Sequence, residues 1–376
     1  MNSNSNNVAA YDSSVTVRSL LKSTGISALM HQAGTTEVAI NRPGEIWTET
    51  SNGWQQHIAP VLTLDVCQKL ANALSVYNKV SPPLSANSPI KPVRLPDGER
   101  GQVMLPPACE PGTVSMTIRI PSSTRLTMED YQRFETFRNF RDVSPSYLES
   151  VAARKDMPSV DVNASFHDAS YRGSVPADVY LEPYEYEMLE AKAKGDAARL
   201  FRLAVANKLN IVTVGGTGSG KTTLMKMLAD LVPPETRMGT IEDTHELSLP
   251  KHPNRVHMFF GETLSAKEIV KSTLRMKLDR VFLAELRGDE TWDYLTLLNT
   301  GCRGGMTSVH ANDPPATFSR IATLIKSSPI GQTLDWHYIL REVKTTIDLV
   351  IFMENKRLTQ LHYDPVEKYR LIRGQA

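Results

Sequence analysis

One stretch constrains this 376-residue chain more than any other: Ile211-Val-Thr-Val-Gly-Gly-Thr-Gly-Ser-Gly-Lys-Thr-Thr223. An apolar β-branched run is followed by Gly215-x-x-x-x-Gly220-Lys221-Thr222 and then by the helical Leu224-Met-Lys-Met-Leu-Ala229. Strand, loop and helix in that order are the context a phosphate-binding loop requires. Glycines let the backbone curl so that successive N–H groups point at an anion, and the following helix adds its positive N-terminal end. In such a loop Lys221 reaches the β- and γ-phosphates, and the Thr222 hydroxyl ligates Mg²⁺. The expected binding residues are Gly215, Gly216, Thr217, Gly218, Ser219, Gly220, Lys221, Thr222 and Thr223, and the expected ligand is a nucleoside triphosphate.

Charge and cysteine usage narrow the surroundings of this loop. The 42 basic and 41 acidic residues leave a formal charge of +1, so no whole-chain footprint for nucleic acid exists and no direct sequence-specific nucleic-acid partner is expected. Cys67, Cys109 and Cys302 are few, odd in number and far apart, which fits a reducing compartment and neither a disulfide framework nor a C-x-x-C metal pattern. No apolar run reaches the roughly 18–20 residues that span a bilayer. Met1-Asn-Ser-Asn-Ser-Asn-Asn7 lacks a basic-then-apolar signal region, and residues 1–14 are expected to be a disordered tail. A cytoplasmic protein is expected, held at a membrane only by a partner.

The front of the chain reads as a small α+β domain over residues 15–125. Val15 to Gln32 is predicted as one helix. Glu37–Asn41 and Glu45–Glu49 are predicted to pair as strands across Arg42-Pro-Gly44, with Pro43 and Gly44 at the centre of a type II turn. Thr63 opens a second helix with an apolar stripe of Leu64, Cys67, Leu70, Ala71, Leu74 and Tyr77. A loop from Tyr77 to Pro92 precedes short β-like runs between Val93 and Ser122.

Residues 126–185 are expected to be an interdomain linker, with 144–183 lacking any clear period. Within it Leu126 to Arg141 reads as an amphipathic helix carrying Tyr131, Phe134, Phe137 and Phe140 three apart. That helix either packs on its own domain or offers a docking face to another subunit or an anionic membrane surface. Tyr184 to Leu209 is predicted as a long helix feeding the glycine loop. Strands and helices then alternate from 186 to 376, which predicts a three-layer α/β domain around a mostly parallel sheet. Thr345–Phe352 and Thr359–Ile372 are expected to close that sheet as antiparallel strands. No internal repeat is visible.

Hydrolysis needs a metal and an activated water, and three later segments supply residues at strand ends, where open α/β sheets place their sites. In Thr240-Ile-Glu-Asp-Thr-His-Glu246, Glu242 or Glu246 would orient or deprotonate water, and Asp243 would hold Mg²⁺ through water. Val281-Phe-Leu-Ala-Glu-Leu-Arg287 has the form of a Walker B strand with Glu285 in place of the usual aspartate. Arg287 either pairs with an acidic neighbour or approaches the γ-phosphate. His310, in Gly304-Gly-Met-Thr-Ser-Val-His310-Ala-Asn312, is either a structural histidine or a γ-phosphate sensor.

Taken in order, these four segments resemble the Walker A, Asp box, Walker B and His box of the secretion superfamily of hexameric traffic ATPases. Thr36-Glu-Val-Ala-Ile-Asn-Arg-Pro-Gly44, Leu95-Pro-Asp-Gly-Glu-Arg100 and Ser115-Met-Thr-Ile-Arg-Ile-Pro121 resemble its type IV secretion and conjugation branch. The four-cysteine zinc module of type II secretion and pilus-assembly relatives cannot be built from three scattered cysteines, which favours the same branch.

The resemblance implies an N-terminal sensor-like domain and a RecA-like C-terminal ATPase domain, assembled as a homohexameric ring that hydrolyses ATP with Mg²⁺. It implies that Arg100 and Arg119 reach the nucleotide's phosphates when the N-terminal domain closes. It places the catalytic glutamate at Glu242, with Glu285 holding Mg²⁺ and its water and His310 linking the γ-phosphate to domain position. The partners it implies are copies of the same chain, inner-membrane secretion-channel subunits and coupling ATPases, at the inner face of the bacterial inner membrane. Two other classes compete from sequence alone: a RecA-like nucleic-acid motor and a non-catalytic, nucleotide-switched scaffold.

Overall fold

The computed structural model describes residues 12–50, 52–121, 125–149, 175–261 and 264–374. The chain divides into two units, Met1–Ser123 and Thr124–Ala376. The tail expected over 1–14 lies outside the described residues up to 11, and so does the stretch 150–174 of the expected linker.

Alternation of buried and exposed positions builds the first unit on a six-stranded antiparallel sheet of order β3-β2-β1-β6-β5-β4. Its strands are β1 (Glu37–Ile40), β2 (Gly44–Thr50), β3 (Gly53–Ala59), β4 (Ile90–Arg94), β5 (Arg100–Met104) and β6 (Ser115–Arg119). Gly44 sits at φ +90°, as the predicted type II turn requires. The Leu64–Tyr77 helix is capped by the Thr63 side chain, which accepts from Val66 N at 3.3 Å, and it buries Cys67, Leu70, Ala71 and Leu74. The expected single helix over 15–32 is instead two, Ser14–Ser23 and Ile26–Met30, because Gly25 takes φ +78° between them.

The second unit carries an eight-stranded sheet of order β10-β9-β11-β12-β8-β13-β14-β7. Its strands are β7 (Arg141–Asp142), β8 (Ile211–Val214), β9 (Met238–Glu242), β10 (Arg255–Phe259), β11 (Arg280–Leu283), β12 (Met306–Val309), β13 (Leu349–Glu354) and β14 (Arg357–His362). The run from β10 to β13 is parallel throughout. Strands β8, β9, β11 and β12 are buried at every position, the pattern of a parallel sheet covered on both faces.

The closing strands differ from expectation in two respects. Strand β13 runs parallel to β8, and only β14 turns back antiparallel. Residues Pro365–Ile372 form a helix, started by Pro365 and capped by the Asp364 side chain, rather than a continued strand. The predicted long helix over 184–209 is also broken in two, Pro183–Ala193 and Ala197–Ala206. Gly195 turns at φ +68° there, and Asp196 caps the second piece by accepting from Arg199 N at 2.9 Å.

Where it is described, the segment expected as a linker belongs to the core of the second unit. Of the helix expected over Leu126–Arg141, Met128–Arg133 alone is helical, behind a Thr127/Asp130 capping box. The chain then reverses through Glu135 and Asn139, both at positive φ, and enters the sheet as β7 beside β14. Tyr131 stacks on Phe137 with centroids 4.9 Å apart, and Phe137 meets Phe201 edge-on at 5.2 Å. Tyr131, Phe137 and Phe140 are buried, so of the four aromatics only Phe134 is exposed, with the Arg133 guanidinium over its ring. Beyond them Lys192 Nζ pairs with Asp142 Oδ2 at 2.8 Å and donates to the Tyr363 carbonyl at 2.7 Å, all buried.

This packing predicts that Phe137→Ala lowers the unfolding free energy of the second unit by about 3–5 kcal/mol, read by urea denaturation. A loss below about 1 kcal/mol would show that the segment is only loosely laid on the unit.

Candidate nucleotide site

Strand β8 delivers the chain to Gly215 at the carboxyl edge of the sheet. Gly215 has φ +142°, and a Cβ there would lie 2.1 Å from the Met353 carbonyl oxygen and 2.8 Å from Ser219 Oγ. No side chain fits, so the loop turns where a nucleotide loop must. Gly220, at φ +98°, is the N-cap of the Lys221–Ala229 helix, whose first N–H groups therefore open toward the loop.

A cleft of about 450 Å³ follows, lined by Gly215–Ser219, by His310–Asn312 after β12 and by Phe352–Asn355 at the end of β13. Gly216, Thr217 and Gly218 are exposed in it, and Lys221, Thr222 and Thr223 are half-buried at the helix start. Ser219 Oγ is buried without a hydrogen-bond partner, a polar group facing a loop shaped for an anion. Lys221 Nζ donates to the carbonyls of Gly215 and Gly216, both at 2.7 Å, so its ammonium already lies over the loop.

The β13–β14 hairpin, whose strands are expected from sequence only as closing strands of the sheet, forms one wall of this cleft. Its tip, Asn355-Lys356, has both residues at positive φ, the two-residue turn that closes a hairpin. The Lys356 backbone comes 3.7 Å from the place of a Cβ on Gly220. An Asn-led pair between two apolar runs was the available signal.

Two groups of carboxylates stand beside the loop. In one, Arg287 donates to Glu285 Oε2 at 2.7 Å and to Asp243 Oδ2 at 2.8 Å, so it bridges the ends of β11 and β9. Arg287 thus takes an acidic pairing, and Glu285 with Asp243 raises its pKa further. His310 Nε2 lies 3.5 Å from Glu285 Oε1. Burial, helped by the Lys221 charge, lowers the His310 pKa below the usual histidine value and keeps the ring neutral at pH 7.

In the other group the Thr222 hydroxyl donates to Glu246 Oε2 at 3.3 Å. Glu242, expected as the base, is 0% exposed. Its Oε2 accepts the backbone amides of Glu246 and Leu247 at 2.8 and 2.7 Å, and its Oε1 accepts from the Thr240 hydroxyl at 3.0 Å. That geometry is an anchor for the turn after β9, whereas Glu246 is the carboxylate that turn presents to Thr222.

Arg100 and Arg119 lie in the first unit, 19 residues apart in the chain. Strands β5 and β6 pair so that the two are direct Cα partners, and Arg94 of β4 stands opposite Arg100 in turn. Directly opposed residues of antiparallel strands point to one face, so the register gathers three arginines in a row at one edge of the sheet.

The oxygen-rich set of Thr222, Asp243, Glu246 and Glu285 suits a hard cation such as Mg²⁺, and the loop suits a polyphosphate.

Known proteins resemble this chain over most of its length. Residues 175–360 match the family described as Type II/IV secretion system protein. The chain is 36% identical over 351 residues to the type IV secretion system protein VirB11 of Brucella abortus, covering 89% of this chain and 87% of that one. It is 33% identical over 327 residues to the type IV secretion system protein PtlH of Bordetella pertussis, covering 85% of each. Among solved structures, the VirB11 ATPase of the Brucella suis type IV secretion system, in complex with sulphate, matches with TM-score 0.50 at 34% identity, covering 96% of this chain and 98% of that one. The pilus retraction motor PilT with bound ADP matches with TM-score 0.53 at 14% identity, over 93% of this chain and 88% of that one, a likeness of fold. The chain belongs to the VirB11 family of type IV secretion ATPases.

Proposed function

We propose that this chain couples Mg²⁺-dependent ATP hydrolysis to relative motion of its two units within a homohexameric ring, and that this motion powers export or pilus assembly by a type IV secretion machine. The observation that carries the reading is the Gly215 loop, closed against Met353, with Lys221 and Thr222 at the start of the following helix. The amides of residues 216–222 cradle the phosphates, and Lys221 moves from its loop carbonyls onto the β- and γ-phosphates. Thr222, Glu285 and Asp243 hold the metal, the two carboxylates kept in place by Arg287. Mg²⁺, when bound, offsets the charge that develops on the transferred phosphoryl group.

Glu246 orients the attacking water from beside Thr222, and Glu242 keeps that turn in position. His310, neutral and next to Glu285, senses the γ-phosphate. Arg100 and Arg119, neighbours across β5 and β6, approach the phosphates from an N-terminal unit as the ring closes. Loss of the γ-phosphate weakens those charge-assisted contacts, which biases a two-state hinge.

Family membership supports a place beside inner-membrane channel subunits and coupling ATPases, at the inner face of the bacterial inner membrane. Among the described residues no helix is long and apolar enough to cross a membrane, which fits a peripheral attachment. An anionic lipid surface is a further contact on this reading.

Phosphate release by the purified protein tests the proposal. Gly215→Ala is expected to lose nucleotide affinity, because the added methyl must displace Met353 or open the loop. Lys221→Ala is expected to lose turnover in a protein that still folds. Wild-type turnover in either would place the site elsewhere.

Glu246→Gln is expected to lower turnover by about 10²–10⁴ with melting temperature and nucleotide binding retained, the range of a lost acid–base group. Glu242→Gln is expected to lower the melting temperature as well, since its buried carboxylate holds two amides. If Glu242→Gln is silent in melting yet inactive while Glu246→Gln hydrolyses normally, the two roles are exchanged.

Arg100→Ala and Arg119→Ala are each expected to cost at least about a hundredfold in turnover with much smaller changes in nucleotide affinity, by analogy with arginine fingers in other NTPases. Unchanged rates would remove both from the mechanism.

A further inference from the structure

We propose that Glu242, His245 and His257 form a binding site for a first-row divalent transition metal of the zinc class, separate from the Mg²⁺ set at Thr222. Strands β9 and β10 pair in parallel with Thr240 opposite His257 and Glu242 opposite Phe259. Side chains two apart on a strand share a face, so Thr240 and Glu242 point to the side on which His257 stands. His245 comes from the turn after β9. Its ring meets the His257 ring edge-on with centroids 4.4 Å apart, and the Phe259 ring at 5.7 Å.

One donor atom from each of the three residues lies within 4.8 Å of the other two. Glu242 Oε1 is 3.5 Å from His245 Nδ1 and 3.9 Å from His257 Nδ1. Tetrahedral zinc, with ligands at about 2.0–2.2 Å, holds its donors about 3.3 Å apart. Closing on a metal therefore needs the three side chains to draw together by about an ångström.

The carboxylate is already oriented for the task. Its Oε2 is held by the Glu246 and Leu247 amides, which leaves Oε1 directed at the two imidazoles. The Thr240 hydroxyl, 3.0 Å from Oε1 and 2.7 Å from His257 Nδ1, is placed as an outer-shell hydrogen-bond partner. When His257 carries its proton on Nε2, Nδ1 is free to ligate and Thr240 serves Oε1 alone. The His245 side chain is 48% exposed, which gives the ion a way in.

Two imidazoles and one carboxylate select zinc-class ions over Mg²⁺ and Ca²⁺, which prefer all-oxygen shells. Because Glu242 Oε2 accepts the Glu246 amide, a metal on Oε1 would stiffen the turn that presents Glu246 to Thr222. That consequence rests on the nucleotide reading; the binding site itself does not.

The test is a titration of the full, nucleotide-free, chelator-stripped chain with Zn²⁺ in competition with a chromophoric chelator. One Zn²⁺ per chain is expected, with affinity reduced at least tenfold by His245→Ala and by His257→Ala. Affinity should be retained in Glu285→Gln and in Cys109→Ser, which separates this site from the Mg²⁺ set and from thiol binding. His257→Gln repeats the measurement should the alanine variant fail to fold, and the exposed His245 gives an independent reading. X-ray absorption of the zinc form should show imidazole nitrogen and carboxylate oxygen. Absence of stoichiometric uptake, uptake unchanged in both histidine variants, or sulfur in the zinc shell would each overturn the proposal. Nucleotide binding and turnover are read separately, so failure of the ATPase reading leaves these outcomes distinct.

Discussion

The backbone at Gly215 runs so close to the end of β13 that even a methyl group would fall 2.1 Å from the Met353 carbonyl oxygen. That approach makes the loop curl instead of continuing β8, and it brings the β13–β14 hairpin tip against Gly220 as a wall of the cleft. The sheet order explains how such an approach arises. Strand β8 lies between β12 and β13, both parallel to it, so its carboxyl end is flanked by two others that can contribute side chains. His310 arrives from one neighbour and Phe352 to Asn355 from the other.

Charge around the loop is divided by function. Arg287 donates to both Glu285 and Asp243, so its single positive charge offsets part of the repulsion between the carboxylates that would hold a cation. Lys221 sits over loop carbonyls, its charge balanced by dipoles that a phosphate would outcompete. Glu242 is different in kind. It is buried behind the turn after β9 and spends one oxygen on amides, while the other faces Thr240 and two histidines. A carboxylate in that position organises the site from behind and is open to control by whatever binds its second oxygen.

The segment 125–149 shows how spacing misleads. Aromatics three apart resemble a helical face, yet of the stretch Leu126–Arg141 that carries them Met128–Arg133 alone is helical. The turns at Glu135 and Asn139 fold Phe137 and Phe140 back onto the second unit, a result governed by the Phe201 surface waiting to be covered rather than by local preference. The breaks at Gly25 and Gly195 belong to the same class of error, since each glycine interrupts an apolar periodicity that otherwise runs on. Single glycines are tolerated in helical patterns, and only the surrounding packing shows which of them turn.

The glycine loop with its strand and helix, the carboxylates at the ends of β9 and β11 and the mostly parallel character of the second sheet are all legible in the order of residues. Those features rest on interactions within a few residues: glycine's access to positive φ, caps, and hydrophobic periodicity. Folding in three dimensions was needed to set Arg119 opposite Arg100, His257 opposite Thr240, and Glu246 rather than Glu242 against Thr222. Strand register joins residues with no local influence on one another. It is set by which faces the two sheets must bury, and no single stretch of the chain carries that information.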